Sequence, residues 1–261
     1  MTSDLFLIHV GTALHSWLNY VSAVERGYVL AEHSIIYPVS EFIGTKTTSV
    51  DEIILDRVHP NLKGKRLDLR FFTNLDGLRH EVAMEFKYAR QGYTEEPGEK
   101  QRILNDILRL KLFTESNSNR KAYFLICGKQ IDFLKAFQSI GWSTNIDKDG
   151  RPYPKKMTID EIKDLGEIKS NGFYTNWFKF DPLPNPMDNL IDITIKDNKI
   201  VPDEYLKGFY TEYKDSFLDG MNCDKFESSK IRTRLVYLSE LSNLAVIKNL
   251  MRVGIWEISN V

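Results

Sequence analysis

Three charged side chains stand inside two strand-like runs rich in apolar residues. Asp68 interrupts RLDLRFF (66–72), and Glu85 and Lys87 interrupt HEVAMEFKYA (80–89). A charge in a core strand is costly unless it is paired or bound to a metal. One chemistry that uses two carboxylates beside an amine is metal-assisted phosphodiester hydrolysis. The carboxylates hold a hard cation such as Mg²⁺ through oxygen and leave places for water and phosphate. The cation lowers the pKa of a bound water and offsets charge building on the phosphate. A neighbouring lysine orients the water and stabilises the transition state.

To act together the three must share a face. Between the runs lies TNLDGL, and Asp76-Gly77 is a strong two-residue hairpin signal, because a type I′ turn needs positive φ at both central positions. Counting outward from that turn, Leu75 pairs with Leu78, Asn74 with Arg79, and Asp68 falls opposite Glu85. Directly opposed side chains sit about 4.5–5.5 Å apart at Cβ. Alternation sends Leu67, Leu69 and Phe71 toward Phe86, Met84 and Val82 as core. It sends Asp68, Glu85 and Lys87 together to the other face, with Arg66 as the partner of Lys87.

The elements around the hairpin follow from periodicity. Leu14, Trp17, Leu18, Val21, Val24 and Tyr28 predict a helix over 14–32. SIIYPVSEFIG (34–44) reads as a strand, with Pro38 marking an edge or a bend. IILDRV (53–58) is a short strand, 99–113 a helix, KAYFLICG (121–128) a buried strand and 130–141 a further helix. Beyond these lie a loop at 150–156 and a short helix at 158–168 with a Thr158/Glu161 capping box. Strand candidates are 172–180, 189–195, 235–241 and 253–259, with a proline-rich connector at 181–188 and an amphipathic packing helix at 241–251.

Asp68, then Glu85-Phe86-Lys87 after 16 intervening residues, on a hairpin between helix 14–32 and helix 99–113, resembles the PD-(D/E)XK nuclease superfamily with its restriction-endonuclease-like fold. Leu67 stands where the name motif has proline. The resemblance covers roughly residues 14–140 and implies that Asp68 and Glu85 are metal ligands, with the Phe86 carbonyl also reaching the metal. It implies that Lys87 is the catalytic lysine and that Mg²⁺ is the cofactor, with Mn²⁺ able to substitute. Family members often add an acid from the first helix. Glu25 is the preferred candidate, since it falls within an apolar stripe, and Glu32 is the alternative. A structural role for Glu25, paired with Arg26, competes with that reading. The helix after the hairpin often supplies a Gln, Lys or Arg in such proteins, which points to Lys100 and Gln101, where a helix N-terminus also favours phosphate.

On helix 99–113, Ile103, Leu104, Ile107, Leu110 and Phe113 face inward, and Arg102, Asn105, Asp106 and Arg109 form the other face. An Arg102–Asp106 ion pair on a solvated face is the bland reading. Arg57, Lys63, Lys65, Arg66, Arg70, Arg79, Arg90, Lys100 and Arg102 gather near the trio and form a phosphate-contacting surface or an ordinary charged one. Tyr174, Trp177 and Phe178 are better explained as core than as base-stacking residues.

Composition sets the frame. The 261 residues carry 35 basic and 36 acidic side chains, a formal net charge of -1, which argues against binding nucleic acid by bulk charge and leaves local basic faces open. Cys127 and Cys223 form no disulfide framework. The five histidines are scattered without a C-x-x-C or H-E-x-x-H pattern, which argues against zinc. No apolar run is long enough to span a membrane and MTSDLFLIHVGT lacks a basic signal-peptide start, so a cytoplasmic, membrane-free protein is expected. His59 and His80 read as structural or solvent-facing rather than as ligands, and Cys127 as a core thiol.

The expected fold is α/β (α+β): a restriction-endonuclease-like core over 1–145 with a mixed central sheet flanked by helices, and a C-terminal α/β extension over 146–261 packed as one unit with it. The expected function is a metal-dependent nuclease acting on DNA, in antiphage defence or DNA processing, with nucleic acid covering the strand face that carries the trio. Homodimer or partner subunit stays open. The rivals are an inactive nuclease-like binding or regulatory module, and an unrelated α+β enzyme in which the trio is coincidental.

Overall fold

The computed structural model describes residues 1–45, 53–90, 97–115, 117–129, 132–133, 144–146, 152–154, 179–184, 191–196, 213–216, 231–239 and 250–260. The expectations at 158–168, at 174, 177 and 178, at Cys223 and over most of 130–141 and 241–250 lie outside the described residues. The chain runs α1 (Ser3–Ala23), α2 (Glu32–Gly44), β1 (Ile54–Val58), β2 (Arg66–Leu75), β3 (Leu78–Ala89), α3 (Pro97–Glu115) and β4 (Arg120–Lys129). Then come β5 (Thr144–Ile146), β6 (Pro152–Pro154), β7 (Lys179–Pro184), β8 (Ile191–Lys196), β9 (Ile231–Leu238) and β10 (Met251–Asn260).

Six strands form one mixed sheet in the order β1-β2-β3-β4-β10-β9. All neighbours are antiparallel except β3 and β4, which run parallel and are joined through α3. A parallel pair needs such a crossover, because no tight turn can reverse the chain twice. Thus β9 and β10 complete the sheet begun by the first half of the chain. The pairs β5–β6 and β7–β8 are separate two-stranded ladders. Residues 181–184 of the expected connector belong to β7. A two-stranded ladder has only edge strands, where proline is tolerated because its missing N–H can face away from the partner.

Helices cover both faces, so two cores form. One gathers Phe6, Leu7, Val10, Leu14, Leu18 and Val21 of α1 and Ile35, Val39 and Ile43 of α2 against Phe71, Val82, Met84 and Phe86. The other gathers Ile103, Ile107, Leu110 and Phe113 of α3 against Ala83, Phe124, Trp256 and Ile258. Burying one such large apolar side chain contributes about 1.5–3 kcal/mol before conformational entropy is counted. Leu67 belongs to the second core with Leu62, not to the first with Leu69 as alternation suggested.

Two expected elements are corrected. The first helix spans Ser3–Ala23, not 14–32. Its apolar stripe starts at Phe6, and the Thr2 hydroxyl caps it by accepting the Leu5 N–H at 3.3 Å. It stops at a Schellman-type end: Arg26 N–H donates to the Val21 carbonyl, Glu25 N–H to that of Ser22, and Glu25 sits at φ 59°. The segment 34–44 is helix, not strand, even with Pro38 inside it. Ile35, Val39 and Ile43 bury one helical stripe, and the Ser34 hydroxyl accepts the Ala31 N–H at 2.7 Å. Packing of that stripe outweighs the one hydrogen bond that proline removes.

Candidate functional site

The hairpin forms as its sequence dictates. Asp76 and Gly77 take φ of 55° and 81°, and pairing runs from Leu75–Leu78 to Leu69–Met84. The next step outward is Asp68 with Glu85. There the ladder gives way: the Phe86 N–H donates to Asp68 Oδ2 at 2.9 Å rather than to a main-chain carbonyl. One strand of the pair thus contributes a carboxylate where a backbone acceptor would otherwise sit. Asp68 is half-buried, and Glu85 and Lys87 are 1% and 8% exposed.

Helix α3 lies over this face, so the expectation that only nucleic acid would cover it is corrected. Leu108 and Leu112 of this helix are buried besides the stripe already named, so its contacts with the fold extend beyond one stripe. Three of its polar residues, Asn105, Asp106 and Lys111, are buried with them, and the expected solvated Arg102–Asp106 face does not form around Asp106. Asp106 instead contacts Lys87 Nζ through Oδ2 at 3.3 Å and Arg109 through Oδ1. Arg109 Nε lies 3.4 Å from Glu85 Oε1, and Arg109 Nη1 donates to the Tyr213 hydroxyl at 3.3 Å. Lys87 Nζ also donates to Glu32 Oε2 at 3.0 Å. Glu32, Asp68, Glu85 and Asp106 thus surround Lys87 and Arg109.

Among the described residues, four acids around two bases leave an excess of negative charge, and the acids feel it. Burial pushes the Glu85 carboxyl well above the usual carboxylate range, and the negative charge of Asp68 raises it further while Arg109 opposes. Burial also raises Asp106 and Glu32, each held back chiefly by Lys87. Burial alone would lower the affinity of Arg109 for its proton, but Glu85 and Asp106 reverse this and hold it protonated.

The loop between β1 and β2 anchors the helix that carries Asp106 and Arg109. His59 is 2% exposed. Its Nδ1 accepts the Asn61 N–H at 3.0 Å, which leaves Nε2–H to donate to the Arg109 carbonyl at 2.8 Å. Asn61 donates its side-chain amide to the Leu112 carbonyl. His59 is therefore structural, as expected, and it fixes the turn of α3 that faces Glu85.

The remaining sequence candidates fall as follows. Glu25 is exposed in the turn after α1 and lies outside the cluster; Glu32, the weaker candidate, is the acid that meets Lys87. Arg66 is exposed and bonded to Asp56, its Nη1 3.0 Å from Asp56 Oδ2. It turns to the neighbouring strand instead of toward Lys87. Lys100 and Gln101 lie in the first turns of α3, and their side chains lie outside the described ones; Arg102 is exposed. Arg70 is drawn to Glu81, which also binds Arg120 at 2.7 Å. Cys127 is a buried thiol raised by burial. The sequence reading missed Asp106 and Arg109 as site residues. Leu108 and Leu112, lying off the expected stripe, were the signal that their helix is enclosed. Tyr213 carries no local signal.

Among the described residues, no group of three or more Asp, Glu, His or Cys side chains is placed to hold a metal ion. The Asp68–Glu85 pair nevertheless fits Mg²⁺ by its donor chemistry. Mg²⁺ keeps several waters and is commonly held by only one or two carboxylates. A divalent cation would also relieve the like charge that raises Glu85. No helix among the described residues is long and apolar enough to cross a membrane. The chain matches no protein-family model, no curated protein and no solved structure.

Proposed function

We propose that the chain is a Mg²⁺-dependent nuclease with a restriction-endonuclease-like core, hydrolysing phosphodiester bonds in nucleic acid, with DNA as the expected substrate. One observation carries the reading: Asp68 and Glu85 meet where the β2–β3 ladder opens, with Lys87 one alternation further on the same face. The order of elements, with a hairpin followed by a helix and a parallel strand, supports it. Asp68 and Glu85 would hold the cation, with the Phe86 carbonyl beside them. Bound Mg²⁺ would supply a more acidic water and offset charge on the phosphate. Lys87, fixed between Glu32 and Asp106, positions the attacking water and faces charge that develops in the transition state. Glu32 takes the role expected of an acid from a preceding helix. DNA processing, including defence against foreign DNA, is the role such an activity would serve.

A second reading has its own observation. Lys87 and Arg109 already pair with the acids, so the cluster is held together without a metal. On that reading the domain binds or regulates and does not cut. Incubating the protein with labelled plasmid, linear duplex, single-stranded DNA and RNA, in Mg²⁺, Mn²⁺ or EDTA, separates the two. The nuclease reading predicts cleavage of at least one substrate that EDTA abolishes. Absence of cleavage of all of them by folded protein favours the second.

A further inference from the structure

Arg109 is an unusual residue for a metal-binding pocket to enclose. Its guanidinium touches three side chains from three parts of the chain. Nε lies 3.4 Å from Glu85 Oε1, Nη2 meets Asp106 Oδ1, and Nη1 donates to Tyr213 at 3.3 Å. The side chains of Arg109, Glu85 and Asp106 are 17%, 1% and 6% exposed. Taking such a carboxylate out of water without a counter-charge would be severely unfavourable. The ion pairs of Lys87 among the described residues go to Glu32 and Asp106. Among the described residues, Arg109 is the cation paired with Glu85.

We propose that Arg109 is a resident counter-ion that occupies the cation seat at Glu85 and must be displaced when a divalent ion binds there. The inference rests on the reading of Asp68 and Glu85 as metal ligands. Two cations cannot share one carboxylate at low dielectric without strong repulsion. Metal and guanidinium therefore compete, and each weakens the hold of the other. Tyr213 stabilises the metal-free arrangement by accepting from Nη1, while Lys65 Nζ lies 4.2 Å from the centre of the same ring. The main-chain bond from Lys63 N–H to the Ser216 carbonyl at 2.5 Å docks this segment beside the site. Tyr213 is thus a positioning residue: it touches Arg109 and bears on Glu85 through it.

Isothermal titration with Mn²⁺ tests this on the full chain, comparing wild type, Arg109→Gln, Tyr213→Phe and Glu85→Gln. Arg109→Gln should bind Mn²⁺ about tenfold more tightly than wild type, and Tyr213→Phe about threefold, the scale of coupling between contacting charged groups. Tyr213→Phe keeps the ring and the fold, so it decides the matter if Arg109→Gln does not fold. Unchanged or weaker Mn²⁺ binding by the folded variants, with binding lost in Glu85→Gln, would overturn the proposal and leave the metal-site reading standing. Mn²⁺ heat that Glu85→Gln leaves unchanged, or no heat from any of the proteins, would overturn the metal-site reading and this proposal with it.

Discussion

Acid should loosen the attachment of α3, and His59 sets where. The imidazole is buried, with Nδ1 accepting from Asn61 and Nε2–H donating to the Arg109 carbonyl. A proton on Nδ1 would break the first of these bonds. Burial, with the positive charges of Arg109, Arg120 and Arg70 adding to it, lowers its pKa from 6.5 to about 4. In the unfolded chain His59 takes up a proton as pH falls through about 6.5. In the folded protein it does so only near 4. Between these values the unfolded chain binds more protons. Stability contributed by the neutral form is therefore complete above about pH 6.5 and is lost as pH falls toward about 4. At about 1.36 kcal/mol per pKa unit, the span amounts to about 3 kcal/mol. Glu85, Asp106 and Glu32 act in the opposite sense, because a carboxyl raised by folding gains stability as pH falls. The informative quantity is thus a difference between two proteins. Urea unfolding of wild type and His59→Gln, at pH values from about 4 to about 7.5, isolates it. Glutamine can still donate to the Arg109 carbonyl but does not titrate. The stability gap between the two should shrink by about 3 kcal/mol across that range. A gap that does not change with pH would refute the reasoning.

Four further substitutions probe the site and its frame. Glu32→Gln should lower cleavage at least about tenfold, whereas Glu25→Gln should change it less than about twofold, since Glu32 reaches Lys87 and Glu25 lies outside the cluster; initial rates on the cleaved substrate compare them. Lys87→Met should lower the unfolding free energy by about 3 kcal/mol in urea titrations, because it leaves the buried Asp106 with one cation fewer. Gly128→Ala should lower the melting temperature by about 5 °C or more in a thermal scan, since the new Cβ would stand 2.5 Å from the Ala89 carbonyl oxygen across the β3–β4 pair.

What the sequence disclosed was local. The hairpin and its register are legible because Asp76-Gly77 specifies the turn and alternation of period two carries the faces along both strands. The strands at 121–128 and 253–259 announce themselves by composition, but nothing local says that β10 lies beside β4 with β9 outside it. Pro38 drew the reading of 34–44 toward a strand, although Ile35, Val39 and Ile43 at intervals of four already described a helix. Glu25 looked like part of a stripe because the helix end was not visible; its left-handed backbone closes α1 before the stripe reaches it. Asp106 and Arg109 read as a solvated face because a single amphipathic stripe was assumed for a helix that is enclosed. Tyr213 joins Arg109 across 104 positions of sequence, and no periodicity reports a contact of that range.

The central claim is that Asp68, Glu85 and Lys87 form one catalytic unit. The most direct test is the initial cleavage rate of wild type, Asp68→Asn, Glu85→Gln and Lys87→Met in Mg²⁺, with folding matched by circular dichroism and nucleic-acid binding measured alongside. Each substitution should lower cleavage by at least about a hundredfold while binding survives, and EDTA should bring wild type to the same level. Cleavage that persists in folded Asp68→Asn or Lys87→Met would contradict it.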